Sequence, residues 1–290
     1  MKTTISVSTW SLKQLLLKGY KTFDEILVIF TEMGVKCIDL MEDDIPCHPH
    51  TDLHELLQLK KKIASFGLVI PSCWFHTDLV GGCYVSSFGK VVDDIKEYLA
   101  VTAALDAKFM CGPVGTIVPG MTLEEGYNLL LRIFEKIIPI AEEYDVRIGL
   151  ESSRTLGLKT PQIALKLVKA LDSKYLTVTP DFEAWRTPTK DIPGVHVEIP
   201  GMKATDPVSI DVFKECLPYA PLIHAKLLTF DENGEELNFP IAEMMSLIKH
   251  SNREHTLSIE FEGWIPDINP HLDPILETKK GLALLKRYLG

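Results

Sequence analysis

The chain has 290 residues, of which 46% are apolar and 24% are charged, and this composition is typical of a globular protein with a full hydrophobic core. The formal charge of −10 disfavours non-specific binding to nucleic acid or to an anionic membrane surface. No apolar run approaches the roughly 20 residues that a membrane-spanning helix needs.

Strand-like and helix-like segments alternate along the whole chain. The predicted strands lie at residues 5–8, 37–40, 68–73, 108–111, 147–150, 176–179, 222–226 and 256–264. The predicted helices lie at residues 22–33, 53–66, 88–105, 122–144, 161–171, 207–217, 241–249 and 274–289. A long connection rich in proline and glycine, residues 182–205, follows the sixth strand. Its length is typical of a lid or a binding loop.

This alternation predicts a parallel sheet with helices outside it. Eight β–α units in under 300 residues favour a single domain, residues 1–290, that folds as a (β/α)8 TIM barrel. The alternative is an open, doubly wound sheet. Against it, no glycine-rich phosphate-binding motif follows the first strand, where residues 8–11 read S-T-W-S.

The six cysteines are scattered and form no C-x-x-C pair. Residues 1–4 lead directly into a predicted strand and lack the apolar region of a signal peptide. We therefore expect reduced, largely buried thiols in a cytoplasmic protein.

Four predicted strands, the fifth to the eighth, carry a metal-ligating side chain at their C-terminal ends: Glu151, Asp181, His224 and Glu260. Because strand C-termini face the active-site mouth of a (β/α)8 barrel, we expect these side chains to meet. Three clustered carboxylates repel one another, and a divalent cation removes that repulsion. This set favours Mn²⁺ or Mg²⁺, with Zn²⁺ or Co²⁺ as alternatives. The simpler interpretation is that each acid forms a local salt bridge.

Several short motifs resemble a known family: G-L-E-S at 149–152, P-D at 180–181, I-H-A-K at 223–226, S-I-E-F-E-G at 258–263 and G-L-A-L-L-K-R-Y at 281–288. Together they resemble the sugar phosphate isomerase/epimerase family, the xylose isomerase-like TIM barrels. That superfamily includes inosose isomerases and dehydratases, ketose 3-epimerases and endonuclease IV repair enzymes. The resemblance spans most of the chain and implies the same four metal ligands.

In the ketose 3-epimerases two glutamates flank the substrate carbon, and the resemblance puts these roles on Glu151 and Glu260. One removes a proton alpha to a carbonyl and the other returns it on the opposite face. The resemblance therefore implies a metal-dependent isomerase or epimerase of a sugar, a sugar phosphate or a polyol ketone. It also implies a homodimer or a homotetramer, while the negative net charge predicts no nucleic-acid or membrane partner.

Two positions depart from the epimerases. Those enzymes carry a histidine three residues after the sixth-strand aspartate, where this chain has Ala184. They also carry an arginine shortly after the seventh-strand histidine, whereas this chain has no arginine between residues 226 and 234. Lys226 is the candidate replacement for that charge. The departures leave open a dehydratase or lyase acting on a keto-sugar or an inosose. A non-catalytic sugar-binding subunit is a lower alternative. An endonuclease IV-like site would need more histidines than the strand ends offer.

The candidate substrate-binding residues follow the first, second, third, fifth, sixth and seventh strands: Trp10, Glu42, Trp74, His76, Arg154, Arg186 and Lys226. The tryptophans would form walls of a sugar pocket, and the arginines would bind a phosphate or a carboxylate. Core packing, solvated loop positions and surface ion pairs are the simpler interpretations of these residues. Glu262 alternates with Glu260, so we expect it to point elsewhere and to pair with a lysine or an arginine.

Overall fold

The computed structural model of the protein describes residues 3–46, 52–153, 157–187, 207–263 and 271–290. Eight strands, each parallel to its neighbours, form one sheet in the order β6-β5-β4-β3-β2-β1-β8-β7. Their bounds are β1 Thr4–Ser8, β2 Cys37–Met41, β3 Val69–Trp74, β4 Phe109–Pro113, β5 Arg147–Ser152, β6 Leu176–Pro180, β7 Leu222–Leu227 and β8 Thr256–Phe261. A bridge between Asp181 and His224 links the two edge strands. The predicted eight-stranded barrel is therefore confirmed, and it is nearly closed.

Ten α-helices surround the barrel within the described ranges. They are α1 Lys13–Leu17, α2 Phe23–Glu32, α3 Leu53–Ser65, α4 Leu79–Val85, α5 Phe88–Ala104, α6 Leu123–Glu143, α7 Pro161–Leu171, α8 Ile210–Cys216, α9 Ile241–His250 and α10 Pro274–Leu289. Short 3-10 helices follow β1, β2 and β6, at Thr9–Leu12, Glu42–Asp44 and Phe182–Trp185. None of these helices is both long enough and apolar enough to cross a bilayer.

The structure adds two helices that the sequence pattern did not predict, α1 and α4. Helix α1 has only five residues and no side-chain cap at its start. Helix α4 contains Gly81 and Gly82, which disfavour a helix by about 1 kcal/mol each relative to alanine. It forms because the Asp78 carboxylate accepts a hydrogen bond from the Gly81 N–H, which caps the first turn.

The other helix boundaries follow the predicted signals. Thr122 and Glu125 form a reciprocal capping box at the start of α6, and Pro161 is the first residue of α7. Gly34 follows α2 with φ of +74°, a conformation that costs other residues steric strain. These local signals explain why the predicted helix positions agree with the structure.

The strands separate two kinds of interior. Alternate strand residues such as Val7, Ile38 and Ile259 point outward and pack with the helices in the main hydrophobic core. The opposite side of the strands, inside the barrel, holds a small apolar cluster of Phe109, Cys111, Leu222 and Trp74. Buried polar side chains occupy much of the remaining barrel interior: Ser6, Asp39, Ser72, Thr179, His224 and Ser258. Barrel interiors are usually filled by bulky aliphatic residues, so this polar lining marks a site.

The described cysteines form no disulfide. Cys73, Cys111 and Cys216 are buried, whereas Cys37 and Cys83 are partly exposed. Burial raises the pKa of the Cys111 and Cys216 thiols to about 12, so both stay protonated. The prediction of core thiols therefore holds for these three residues.

Candidate metal centre

The four predicted metal-ligating side chains meet inside the C-terminal mouth of the barrel. One ligand atom from each lies within 4.8 Å of every other, and all four residues are buried. They are Glu151 near the end of β5, Asp181 just after β6, His224 within β7 and Glu260 near the end of β8. The parallel strands place them at one end, and strand alternation turns them inward.

His224 lies at the centre of this cluster. Its Nδ1 is 3.0 Å from Glu151 Oε1 and 3.4 Å from Glu260 Oε1. On the other side of the ring, Nε2 is 3.4 Å from Asp39 Oδ2. Both Asp39 oxygens are buried and make no hydrogen bond within the described part of the chain. The ring thus has carboxylates on both edges, with Nδ1 facing the cluster.

Lys226 forms the positive edge of the cluster. Its Nζ is 3.1 Å from Asp181 Oδ2, 3.0 Å from Glu262 Oε1 and 3.9 Å from Glu260 Oε2. Burial would lower the pKa of Lys226, but the charges of Asp181, Glu262 and the other acids raise it well above its usual value. The ammonium is therefore charged at every physiological pH.

The two candidate catalytic glutamates have opposite pKa shifts. Burial alone would raise the pKa of Glu151, but the hydrogen bond and charge of His224, with weaker effects of Lys226 and Trp74, lower it from 4.5 to about 2. Burial raises the pKa of Glu260 from 4.5 to about 8, because the positive charges of His224 and Lys226 offset only part of the effect of burial. Without a metal, Glu151 is ionised at neutral pH and Glu260 is largely protonated.

The donor set fits a divalent cation. Burial raises the pKa of Asp181. Burial would lower the pKa of His224, but interactions with Glu260, Cys111 and Asp39 outweigh it and raise the pKa of His224 well above its usual value. In the metal-free protein the cluster thus keeps protons that an ion of charge +2 would displace. Three carboxylate oxygens and one imidazole nitrogen, buried together, are ligands that Mn²⁺, Mg²⁺, Zn²⁺ and Co²⁺ accept.

A cavity of about 290 Å³ opens from this cluster to the surface. Four of the predicted substrate-binding residues line it: Trp10, Trp74, His76 and Lys226. Trp74 Nε1 donates to Glu151 Oε2 at 3.0 Å, and Trp10 Nε1 donates to Glu262 Oε1 at 2.8 Å. Both indoles therefore present their rings as walls while their N–H groups orient site carboxylates.

Other predicted substrate-binding residues lie elsewhere. Glu42 does not line the cavity, and its Oε2 accepts a hydrogen bond from the His76 N–H at 2.6 Å, which holds the segment after β3. Arg186 lies 3.5 Å from Glu183. The simpler interpretation predicted an ion pair at the surface, and the structure has the ion pair but buries most of both side chains. Arg154 lies outside the described residues.

The connection after β6 begins with a 3-10 helix in which Trp185 packs on Phe213, with ring centroids 5.0 Å apart. Ala184 is completely buried in this turn, so it cannot replace the histidine of the epimerases. The interpretation of residues 182–205 as a lid falls largely on residues 188–205, outside the described ranges.

Sequence reasoning missed Asp39 and misplaced Glu262. Asp39 is an acid in the middle of the apolar segment C-I-D-L-M, and that burial conflict is the signal that could have found it. Glu262 pairs with a lysine, as predicted, but this lysine is Lys226 and the pair lines the same cavity. Lys159, which also lines the cavity, had no signal in the sequence.

Comparisons with known proteins agree with this fold. A family model described as "Xylose isomerase-like TIM barrel" matches residues 29–288. A D-psicose 3-epimerase crystallised with D-fructose shares 13% identity and a TM-score of 0.69 over 99% of both chains. An L-ribulose 3-epimerase shares 15% identity and a TM-score of 0.72 over 99% of this chain and 95% of its own. A 3-keto-D-glucoside 4-epimerase from E. coli shares 14% identity and a TM-score of 0.68 over 99% of this chain and 100% of its own. At these identities the likeness shows the fold alone.

The sequence is also similar to two curated relatives, the C-glycoside deglycosidase alpha subunits of Arthrobacter globiformis and Microbacterium trichothecenolyticum. Each is 30% identical over 71 residues, which span 24% of this chain and 19% of the relative's length. The match to the family model, by contrast, covers nearly the whole chain. The chain belongs to the family of xylose isomerase-like TIM barrels.

Proposed function

We propose that the protein is a divalent-metal-dependent isomerase or epimerase of a sugar, a sugar phosphate or a polyol ketone. The observation that carries the proposal is the convergence of one imidazole and three carboxylates within 4.8 Å of one another, beneath a cavity large enough for a monosaccharide. The epimerase activities of the structural neighbours are consistent with this choice.

The metal would be held by Glu151, Asp181, His224 and Glu260, with Mn²⁺ or Mg²⁺ as the preferred ion. When bound, such an ion polarises a carbonyl and stabilises negative charge on its oxygen. The chain's own contribution is to orient the ligands. Asp39 on the far edge of the imidazole favours the tautomer with hydrogen on Nε2, which leaves Nδ1 free to coordinate.

We assign the two proton transfers to Glu151 and Glu260, whose carboxyl groups both line the cavity. Glu151, ionised, takes the proton from the carbon next to the carbonyl, and the electron pair of that C–H bond moves onto the carbonyl oxygen. Glu260, once it has taken up a proton from water in the cavity, returns that proton to the same carbon from the other face. The reaction then ends with Glu151 protonated and Glu260 ionised, which is the starting state for the reverse direction.

Lys226 adds a fixed positive charge at the edge of this site. Its ammonium lines the cavity and lies next to Asp181 and Glu260. A cation there stabilises an enolate oxygen as it develops. We therefore give Lys226 the role of the arginine that the epimerases carry after the seventh strand.

The test of the proposal is metal-dependent exchange of solvent deuterium into candidate ketoses. Mn²⁺ is titrated into metal-free protein, and deuterium at the carbon alpha to the carbonyl is followed by NMR. Glu151→Gln and Glu260→Gln should each abolish exchange, whereas Glu142→Gln, at an exposed position on α6, should not. Absence of exchange across a broad panel of free ketoses, sugar phosphates and keto-glycosides would exclude the proposal.

The similarity to C-glycoside deglycosidase alpha subunits favours a second candidate, a lyase acting on a keto-sugar. The same proton removal would then be followed by loss of a group from the next carbon. The electron pair of the C–H bond would form a C=C bond, and Glu260 would protonate the departing group. Mass spectrometry separates the candidates, because the lyase gives an unsaturated ketone plus a released fragment and the epimerase conserves mass.

A further inference from the structure

A second cavity lies beside the candidate metal centre. Its volume is about 550 Å³, and it is bounded by α4, by the N-terminal half of α5 and by residues 116–119 after β4. Because these segments follow β3 and β4, the cavity opens at the same end of the barrel as the cluster of carboxylates. None of the four clustered metal-ligating residues lines it.

One residue joins the two cavities, since His76 lines both. Its ring packs edge-on against Trp74, with centroids 4.5 Å apart and an interplanar angle of 88°. Trp74 in turn donates to Glu151 at 3.0 Å. One ring contact and one hydrogen bond therefore connect the edge of the second cavity to a carboxylate that the proposed function makes catalytic. His76 is therefore the boundary that a ligand shared by the two cavities would cross.

The second cavity is apolar at its floor and its rim. Leu79, Val91 and Ile95 are buried beneath it. Tyr84 and Val85 lie at its rim, with 70% and 81% of their surfaces exposed. This lining suits an apolar or aromatic group.

The charged side chains of this lining do not favour an anionic ligand. Apart from His76 at the boundary, they are two acids, Asp78 and Asp94. Asp94 pairs with Lys90. Asp78 accepts hydrogen bonds from the N–H groups of Gly81 and Thr116, at 2.9 and 3.1 Å. A phosphate or a carboxylate would thus meet carboxylates and no lysine or arginine among the lining residues.

Asp78 also links two walls of the cavity. Its two backbone contacts tie α4 to the segment after β4, on opposite sides of the opening. Gly115, with φ of +104°, lets that segment approach, because a Cβ at this position would collide with the Asp78 carboxylate. The cavity is therefore held open by the fold, which lowers the cost of filling it with a ligand.

We propose that the second cavity binds the aglycone of a keto-glycoside whose sugar ring occupies the first cavity. The proposal rests on the proposed function and narrows its substrate class, from free monosaccharides to glycosides with an apolar, preferably aromatic, aglycone. A free hexose would leave Tyr84 and Val85 uncovered. One structural neighbour is a 3-keto-D-glucoside 4-epimerase, and the two curated relatives are C-glycoside deglycosidase alpha subunits.

The experiment compares two probes on Mn²⁺-loaded protein: p-nitrophenyl 3-keto-β-D-glucoside and its methyl counterpart. Dissociation constants are measured by calorimetry, and solvent-deuterium exchange is measured in parallel. We expect the aryl glycoside to bind about tenfold more tightly, because its ring covers apolar surface that the methyl group does not reach. Tyr84→Ala and Val85→Asp should each reduce this preference to threefold or less, with the methyl glycoside unaffected. The matched control is Tyr20→Ala, a tyrosine that is 68% exposed and lines neither cavity.

Equal affinities of the wild-type protein for both glycosides would overturn the proposal. So would a preference that survives both rim substitutions. If sedimentation shows that the wild-type protein is a dimer and that Tyr84→Ala converts it to a monomer, the cavity binds a second copy of the chain instead of an aglycone. Failure of the proposed function has a different signature, namely no exchange with either glycoside, and the affinity comparison still decides the role of the cavity.

Discussion

The backbones of Asp181 and His224 form the bridge that joins β6 to β7, and their side chains enter the same cluster. The seven other neighbouring strand pairs are joined by ladders of two to six paired residues. Among the described residues, the seam where the barrel closes thus coincides with two candidate metal ligands. A metal bound by both side chains would tie the seam together.

We therefore expect metal removal to loosen this seam selectively. Hydrogen exchange measured by mass spectrometry should rise in residues 176–187 and 222–228 when Mn²⁺ is chelated, because few backbone pairs hold these strands together. Peptides from β2 and β3, which form a continuous ladder apart from one bulge, serve as the internal control. Equal changes in both regions would mean that the ion does not act through the seam.

Metal binding should release protons near neutral pH. Glu260 has a pKa raised to about 8 by burial, and the pKa of His224 is raised well above 6.5, so both hold protons that a metal must displace. Calorimetry in buffers of different ionisation enthalpy should show the release of more than one proton per Mn²⁺ at pH 7. The number should fall by about one above pH 8, as Glu260 ionises. Binding without proton release at pH 7 would contradict the assignment of these ligands.

The metal-free protein should lose stability as the pH rises from about 4.5 to 8. In this range the folded state keeps protons on Glu260 and on Glu183, whose pKa burial raises to about 7, while the unfolded chain has lost them. The folded state then binds more protons, so the free energy of unfolding falls with rising pH, by a few kcal/mol in order of magnitude. His255, whose pKa is lowered by burial, opposes this trend below pH 6.5. Urea denaturation with a chelator present measures the slope, and excess Mn²⁺ should reverse it above pH 7.

Asp39→Asn should weaken Mn²⁺ binding by about tenfold, because residues that orient a ligating histidine typically contribute 10- to 100-fold in affinity. The substitution keeps the shape of the side chain and removes the charge opposite His224 Nε2. Nitrogen-15 NMR of the metal-free protein at high pH should show a larger fraction of the tautomer protonated at Nδ1. Asp145→Asn, an exposed change at the opposite end of the barrel, is the control. Unchanged affinity and an unchanged tautomer would assign Asp39 to packing alone.

Lys226→Met should destabilise the metal-free protein by about 3–5 kcal/mol, the usual cost of removing one partner from a buried ion pair. Asp181 and Glu262 would lose their nearest cation, which now lies 3.1 and 3.0 Å away. Mn²⁺ should bind more tightly to the variant, because the site becomes more negative, while deuterium exchange into substrate should fall. Lys108→Met, which breaks the exposed pair with Asp145, should change neither stability nor exchange measurably. A stable, fully active Lys226→Met protein would remove Lys226 from the site.

The sequence alone was enough to predict the barrel and four of its inward-facing polar residues. Apolar segments of strand length alternated with amphipathic helices, and caps such as Thr122 with Glu125 act within a few residues, so these signals are local. The acids at the strand ends could be recognised in the sequence because an ionised carboxylate next to a buried apolar strand is costly unless a cation pairs with it. Their convergence could be inferred, since parallel strands bring their C-terminal ends to one side.

Only the tertiary structure decided how these residues face one another. His224 lies level with Asp181 and deeper than Lys226, which pairs in register with Glu260. One edge of the His224 imidazole faces Asp39. The tertiary structure also brings Glu262, Trp10 and Lys226 together in the lining of the first cavity. The second cavity is formed in part by α4, a helix that the sequence pattern did not predict. Register, burial and contacts between residues far apart in the chain depend on how the whole barrel packs. Local patterns of side-chain type do not encode them.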